Sequence, residues 1–312
     1  MKLMVTGIGG VGGYIASVLC ANYNDITLVA RKARKKALET KGLVVYSDFF
    51  GDHTAHPAVT DTPATAGIQD MIFVCVKNYS LRDALTAVLP CIGKYTIVVL
   101  ILNGVDHFAV AQQILTKGQL VDSAIYITSS SDEDYAIHQA GKFTRVVLGG
   151  PNTQALRKAY EVLNHPGITC QVASDIQAEL WNKYILNCAY NVTTAYYECT
   201  IGEVVDDAAR RQEFYALLQE AYAVGKALGV HLASDVVDTI YGRILRQDSK
   251  QTTSSLAMDV MAGHQSELET FSGYLVRTAK DLGVAAPLST KYYEALLART
   301  RQGQLSLLSS NT

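Results

Sequence analysis

The sequence lacks the features that mark several classes of protein. Its 312 residues carry a formal net charge of −2 and contain no long basic run, which argues against nucleic acid or an anionic membrane as the main partner. No apolar stretch reaches the ~18 residues that a transmembrane helix needs. The seven histidines show neither H-x-x-x-H nor H-E-x-x-H spacing, so we predict no metal site and a small molecule as the partner.

Paired cysteine motifs are also missing. The six cysteines form no C-x-x-C pair, most of them lie inside apolar runs, and the opening residues do not resemble a signal peptide. Cysteines of this kind are typical of reduced core residues rather than of a disulfide framework. We therefore expect a cytoplasmic protein.

The pattern of the chain changes near residue 170. Before that point, short apolar runs such as 70–76 alternate with helix-like segments, which is typical of a parallel sheet covered on both faces. After it, helical periodicity dominates, including a continuous stretch at 254–282. We predict an α/β protein with an N-terminal Rossmann-type doubly wound parallel sheet at 1–170 and a second, mostly α-helical domain at 171–312. A homodimer is compatible with this plan.

A glycine-rich segment lies between the first predicted strand and the first predicted helix. It consists of Gly7, Ile8, Gly9, Gly10, Val11 and Gly12 and matches the pattern G-x-G-x-x-G. The first glycine permits a tight turn, the second lets the backbone approach a pyrophosphate, and the third allows close packing of helix and strand. In this context the motif predicts a dinucleotide site rather than an ordinary turn.

The end of the second predicted strand indicates which dinucleotide is bound. An NAD site usually has an acidic residue there, whereas this strand ends in Ala30, Arg31 and Lys32. No acid repels a 2′-phosphate, and the Arg31 guanidinium can bind one bidentately. We therefore predict NADP (NADPH) as the cofactor, with Arg31 as the main phosphate contact; the alternative is a solvated pair of loop charges.

Two later strands end in polar residues. Lys77 follows the run at 71–76, and Asn103 follows the run at 97–102. Ligands of open parallel sheets bind beyond the carboxyl ends of strands, so both residues are candidates for the cofactor crevice. A surface lysine and a turn-forming Asn-Gly pair are equally acceptable interpretations of these two positions.

A row of polar residues marks the second predicted domain. Lys183, Asn187 and Asn191 are spaced i, i+4, i+8 and share one helix face, with apolar residues beside them. Asparagine is a mediocre helix former that is costly to bury unpaired. The row indicates a polar ligand or a wet domain interface, although a solvated helix face also fits the spacing.

A second polar cluster runs from 253 to 267. Ser255 and Glu267 lie twelve positions apart, which corresponds to a rise of about 18 Å in one straight helix. If both contribute to one site, they contact different parts of the bound molecules, or the helix must break. A helix cap and a surface acid are the ordinary interpretations of these residues.

Taken together, these segments resemble the ketopantoate reductase (2-dehydropantoate 2-reductase) family. The resemblance runs from the first strand to about residue 300. It rests on G-I-G-G-V-G, on W-N-K-Y-I-L-N-C-A-Y-N, on S-S-L-A-M-D and on Q-S-E-L-E followed by F-S-G. The resemblance implies an NADP-dependent oxidoreductase that reduces ketopantoate to (R)-pantoate in pantothenate biosynthesis.

The resemblance also implies roles for the candidate residues. Lys183 matches the catalytic lysine, and Glu267 matches a glutamate near the nicotinamide ribose and the active site. The other correspondences are substrate contacts at Asn187, Asn191 and Ser255, a contact shared by cofactor and substrate at Asn103, and a cofactor contact at Lys77.

Two positions depart from the family pattern. Ile201 stands where relatives often carry a further substrate asparagine, and Leu256 replaces a methionine in the serine motif. Both changes affect the substrate side, so a reductase of another small 2-keto acid is a serious alternative. A non-catalytic NADPH-binding redox sensor fits less well because a sensor needs no proton donor at Lys183. A phosphosugar dehydrogenase should show more arginines near the substrate groups.

Overall fold

The computed structural model describes the backbone of residues 1–246 and 250–309, and it divides into two compact units, Met1–Glu179 and Leu180–Thr312. The first unit contains ten strands, namely β1 (Leu3–Thr6), β2 (Ile26–Val29), β3 (Leu43–Ser47), β4 (His53–Ala55), β5 (Ala58–Thr60), β6 (Met71–Val74), β7 (Ile97–Leu100), β8 (Gln119–Ser131), β9 (Ile137–Gly149) and β10 (Thr169–Val172). Its helices are α1 (Gly10–Asn22), α2 (Lys32–Lys41), α3 (Leu81–Val88), α4 (His107–Ile114) and α5 (Thr153–Leu163).

The sheet has the order β4-β3-β9-β8-β7-β6-β1-β2-β5, and β10 pairs with β9. The strands from β5 through β2, β1, β6 and β7 to β8 pair in parallel, whereas β8 and β9 form a long antiparallel pair. The doubly wound α/β fold is confirmed, but the sheet is mixed rather than wholly parallel. Since β10 straddles residue 170 and joins this sheet, the sheet extends past the predicted start of the helical domain.

Alternation along the central strands explains why their sequences are apolar throughout. Leu3 and Val5 pack into a core on one face of the sheet, whereas Met4 packs into a separate core on the other face. The four residues of β1 and the four of β6 are all buried. Because helices cover both faces of the sheet, neither face of these strands is a polar face.

The second unit is helical. Its helices are the long α6 (Ile176–Tyr197), which begins at the end of the first unit, and then α7 (Ile201–Asp206), α8 (Ala208–Ala227), α9 (Val236–Arg246), α10 (Ser255–Met261), α11 (Tyr274–Leu282) and α12 (Pro287–Ser309). A π-helical turn at Glu269–Gly273 leads directly into α11. Of the helices within 1–246 and 250–309, none combines the length and apolarity that crossing a membrane requires.

The continuous helix predicted at 254–282 is wrong. The helix α10 ends at Met261, Gly263 takes a left-handed conformation with φ of 67°, and helical structure resumes only at residue 268. A left-handed glycine just after the last turn is a common helix terminator. The break is not evident from the sequence because apolar periodicity continues on both sides of it. The break separates Ser255 from the helical segment that follows Glu267.

Candidate active site

The glycine turn between β1 and α1 is fixed by close backbone contacts. Gly7 has a φ of 88°, and a Cβ there would lie 2.6 Å from the backbone nitrogen of Val76. A Cβ on Gly12 would lie 2.1 Å from the carbonyl oxygen of Gly7. A Cβ on Gly10 would lie 2.6 Å from the carbonyl oxygen of Ser129 on β8. These three glycines are therefore required by the fold of the turn itself.

Gly9 differs from its neighbours. It is the N-cap of α1, and a Cβ built on it would meet no atom within 4 Å. The first turn of α1 contains no acidic residue, and no side chain caps it. The N–H groups of this turn and the positive end of the helix dipole are suited to binding a phosphate group. Ile8 and Val11 bury their side chains in or against the core, which leaves only their backbone for such a ligand.

A cavity of about 460 Å³ lies beside this turn in the first unit. Of the residues that the sequence predicts for the cofactor, it is lined by Gly7, Ile8, Gly9, Arg31 and Lys77. The other predicted residues Gly10, Val11, Gly12 and Asn103 are not among its lining residues, and Asn103 lies half-buried beyond the end of β7. The cavity brings most of the predicted cofactor residues together at the carboxyl ends of β1, β2 and β6.

Arg31 lies where the second strand passes into the second helix. It is exposed and is the N-cap of α2, which has no acid in its first turn. The sequence did not predict several further lining residues, among them Arg34, Tyr79 and Asp83. For Arg34 a signal existed, because a residue three positions after Arg31 lies on the same side of a helix.

The polar row on the long helix of the second unit lies within one unbroken helix, as expected. Along α6, Asn191 is buried, and Lys183 and Asn187 are half-buried. Between them, Tyr184, Ile185 and Cys188 are buried against the rest of the unit. The row therefore occupies the edge of an otherwise apolar helix face.

Lys183 is paired electrostatically with Glu267. Burial of the ammonium group lowers the pKa of Lys183 from 10.5 to about 8, and the negative charge of Glu267 partly opposes this shift. Glu267 is itself buried, with 6% of its surface exposed. A lysine with this pKa is protonated at neutral pH yet can release its proton, which suits a general acid.

The π-helical turn holds the glutamate segment against α6. The carbonyl of Glu267 accepts hydrogen bonds from the N–H groups of Thr270 and Phe271, at 3.0 and 3.1 Å. The hydroxyl of Tyr184, next to Lys183, donates to the carbonyl of Thr270 at 2.7 Å. Short π-helical turns occur often at functional sites. Here the turn joins the two segments that carry the lysine and the glutamate.

The two serines at the start of α10 have different positions. Ser254 is buried and caps the helix, since its Oγ accepts from the Ala257 N–H at 3.0 Å. The Thr194 hydroxyl of α6 donates to the same Oγ at 2.8 Å. Ser255, the predicted substrate contact, is the first helical residue and is exposed. Sequence reasoning did not foresee that Ser254 links the Ser255 segment to α6 close to Asn191.

Comparison with known proteins identifies the family. The model described as "Ketopantoate reductase PanE/ApbA" matches residues 3–152, and its C-terminal counterpart matches residues 175–300. The chain belongs to the ketopantoate reductase family. As a member of this family it is an oxidoreductase.

Two relatives span almost the whole chain. The "uncharacterized oxidoreductase YkpB" of Bacillus subtilis is 28% identical over 95% of this chain and 98% of its own length. A 2-dehydropantoate 2-reductase of Mesorhizobium japonicum is 27% identical over 97% of both chains. Both relatives therefore match the two units of this chain.

Two solved structures share the fold. A PanE/ApbA family ketopantoate reductase from Ralstonia eutropha has a TM-score of 0.90 at 24% identity, covering 97% of this chain and all of that one. A D-mandelate dehydrogenase, solved with NADH and anilino(oxo)acetate, has a TM-score of 0.88 at 18% identity over the same shares. At these identities the two structures show the fold alone, and the fold carries more than one activity.

Proposed function

We propose that this ketopantoate reductase relative is a cytoplasmic enzyme that reduces a small 2-keto acid with NADPH. The substrate that we favour is ketopantoate, which gives (R)-pantoate for pantothenate biosynthesis. The observation that carries the proposal is the Lys183–Glu267 pair beside Asn187 and Asn191 on α6. Its lysine has a pKa lowered to about 8. Such a group is a proton donor suited to the reduction of a carbonyl.

The chemistry follows from the charge that the reaction develops. NADPH, when bound, supplies a hydride for the C2 carbonyl carbon of the keto acid. Negative charge then grows on the carbonyl oxygen, and the Lys183 ammonium stabilises this charge and donates its proton to the oxygen. Glu267 keeps the lysine protonated, since its negative charge raises the pKa of the ammonium. The product is a 2-hydroxy acid.

The remaining residues bind and orient. Asn187, Asn191 and Ser255 would hydrogen-bond the carboxylate and hydroxyl of the substrate, which fixes the carbonyl for attack. For the cofactor, the residues are the glycine turn for the pyrophosphate, Arg31 for the 2′-phosphate, Lys77 as a further contact, and Asn103 as a contact shared with the substrate. The proposed cofactor contacts thus lie in the first unit, and the proposed substrate contacts other than Asn103 lie in the second.

Another 2-keto acid is the second candidate for the substrate. Ile201 is fully buried at the start of α7 and offers no polar side chain where relatives often carry asparagine. The D-mandelate dehydrogenase shows that this fold also serves an aromatic 2-hydroxy acid. A site with one hydrogen-bonding amide fewer discriminates less strongly in favour of a hydroxylated substrate.

The experiment that tests the proposal follows NADPH oxidation by absorbance with ketopantoate, 2-ketoisovalerate, pyruvate and benzoylformate. We expect ketopantoate to have the highest kcat/KM. If benzoylformate or 2-ketoisovalerate exceeds it about tenfold, a difference of ~1.4 kcal/mol in transition-state binding, the substrate is that acid instead. Absence of turnover with all four acids and NADPH would refute the proposed function.

The pH dependence of the reduction tests the role of Lys183. The protonated form is the active one, so kcat should be constant below a pKa of about 8 and fall as pH rises through that value. Glu267→Gln should move this fall to lower pH, because the variant loses the charge that raises the lysine pKa. A profile that is flat from pH 6 to 10 in both proteins would contradict the assignment.

A further inference from the structure

We propose that Arg34 is a second guanidinium that binds the 2′-phosphate of NADPH, together with Arg31. The inference rests on the proposed use of NADPH and adds a residue that the sequence did not single out. Arg34 lies in the first turn of α2 and lines the same cavity as Arg31, Lys77 and the glycine turn. Four further observations support this role.

The first observation is that the Arg34 guanidinium is held in one place. Its Nη2 donates to Oγ of Ser131 at 2.9 Å, at the end of β8. The guanidinium carbon lies 4.5 Å from the centre of the Tyr135 ring, in the turn between β8 and β9. A guanidinium that is fixed before a ligand arrives loses less entropy on binding.

The second observation is that hydrogen bonds fix the turn between β8 and β9, which carries Tyr135. Tyr135 has a φ of 67°, an uncommon conformation for a residue with a bulky side chain. Its N–H donates to the carbonyl of Asp132 at 3.1 Å, and the Ala136 N–H donates to the Asp132 carboxylate at 2.9 Å. Strained residues persist where the surrounding structure enforces them, and they cluster at ligand sites.

The third observation is that the positive charge of Arg34 has no salt bridge within the described ranges 1–246 and 250–309. Arg34 is half-buried, and its burial lowers the pKa of the guanidinium. The charge of Asp132 attracts the guanidinium and acts to raise its pKa, but the Asp132 oxygens accept a hydrogen bond from the Ala136 N–H and pair with His138 at 2.8 Å. A partly buried cation that has no direct ion pair favours the binding of an anion.

The fourth observation concerns a single atom. Nη1 of Arg34 is buried and has no hydrogen-bond partner in the described part of the chain. Buried N–H groups almost always have a partner, so an orphan of this kind needs an explanation. A small shift of the side chain toward a bound anion would give Nη1 an acceptor.

The position of Arg34 selects the 2′-phosphate rather than the pyrophosphate. The pyrophosphate of a dinucleotide binds at the start of α1, whereas the ribose 2′ position is recognised just beyond the end of β2. Arg31, the N-cap of α2, and Arg34, in the first turn of α2, both follow closely after the end of β2. Asp83 on α3 is the acid that lines the described cavity, and it belongs to a different element.

The test compares two ligands that differ in one phosphate. Dissociation constants for 2′,5′-ADP and 5′-AMP are measured by calorimetry for the unmodified protein, Arg34→Gln and Arg31→Gln. We expect each arginine variant to raise the dissociation constant of 2′,5′-ADP about tenfold or more, the usual effect of a lost charge-assisted hydrogen bond. The dissociation constant of 5′-AMP should change less than about threefold. Lys36→Ala is the matched control: it removes a charge from the same helix, but Lys36 is exposed and does not line the cavity. It should change both constants less than about threefold.

A second variant keeps the test decisive if Arg34→Gln fails to fold. Ser131→Ala removes the hydrogen bond that positions Arg34 but keeps the Arg34 charge. It should therefore raise the dissociation constant of 2′,5′-ADP about threefold and leave that of 5′-AMP unchanged. The proposal is overturned if Arg34→Gln and Ser131→Ala each change the dissociation constants of the two ligands by the same factor, or leave both constants unchanged. If the unmodified protein does not prefer NADPH to NADH, the proposed cofactor fails and this inference fails with it. If it does prefer NADPH but Arg34→Gln retains that preference, this inference alone fails.

Discussion

Lys183→Ala is expected to lower kcat for keto-acid reduction by ~10³-fold or more while the dissociation constant of NADPH changes less than about threefold. The alanine variant loses both the positive charge that stabilises the alkoxide and the proton that neutralises it. Each of these contributions is commonly worth a factor of ~10² or more. The measurement is a steady-state rate with saturating keto acid together with a fluorescence titration of NADPH.

Lys280→Ala provides the matched control for this result. Lys280 is an exposed lysine in the last turn of α11, within the same helical unit. Its removal should leave kcat within about twofold, because exposed charges contribute little. If Lys183→Ala retains a tenth or more of the original kcat, Lys183 is not the proton donor. If NADPH affinity falls in parallel with kcat, the lysine binds the cofactor instead.

The sequence predicted those parts of the fold that short-range patterns determine. The strands β1 and β6 are predictable because both faces of each strand are covered, which makes their sequences almost entirely apolar. The glycine turn is recognisable because its spacing matches the dinucleotide fingerprint, and close contacts at Gly7, Gly10 and Gly12 leave no room for a Cβ. The row from Lys183 to Asn191 follows from helical periodicity alone.

The parts that the sequence did not predict depend on contacts between distant segments. The β8–β9 pair was missed because its strands are polar and half-exposed over much of their length, so they lack the apolar signal of the central strands. The break after α10 depends on one left-handed glycine within a periodic stretch. The hydrogen bond between Thr194 and Ser254 joins residues sixty positions apart, and no local sequence pattern in either segment predicts it.

Gly9→Ala and Gly12→Ala are expected to separate cofactor binding from folding. A methyl group on Gly9 meets no atom of the protein within 4 Å, and the φ of −101° there is accessible to alanine. The loss of a preferred N-cap residue should cost less than about 1 kcal/mol. The same methyl group would stand where the backbone must approach the pyrophosphate, so NADPH affinity should fall about tenfold or more.

Gly12→Ala should show the opposite behaviour. Its Cβ would lie 2.1 Å from the Gly7 carbonyl oxygen and 2.8 Å from Cβ of Cys75, so α1 must move away from β1 and β6. Backbone displacement of this kind costs about 3 kcal/mol, which lowers Tm by several degrees even without cofactor. Thermal unfolding with and without NADPH distinguishes the two variants: Gly9→Ala keeps its Tm but loses most of the NADPH-induced rise, whereas Gly12→Ala begins from a lower Tm. An NADPH-induced rise in Gly9→Ala equal to that of the unmodified protein would mean that the start of α1 does not bind the pyrophosphate.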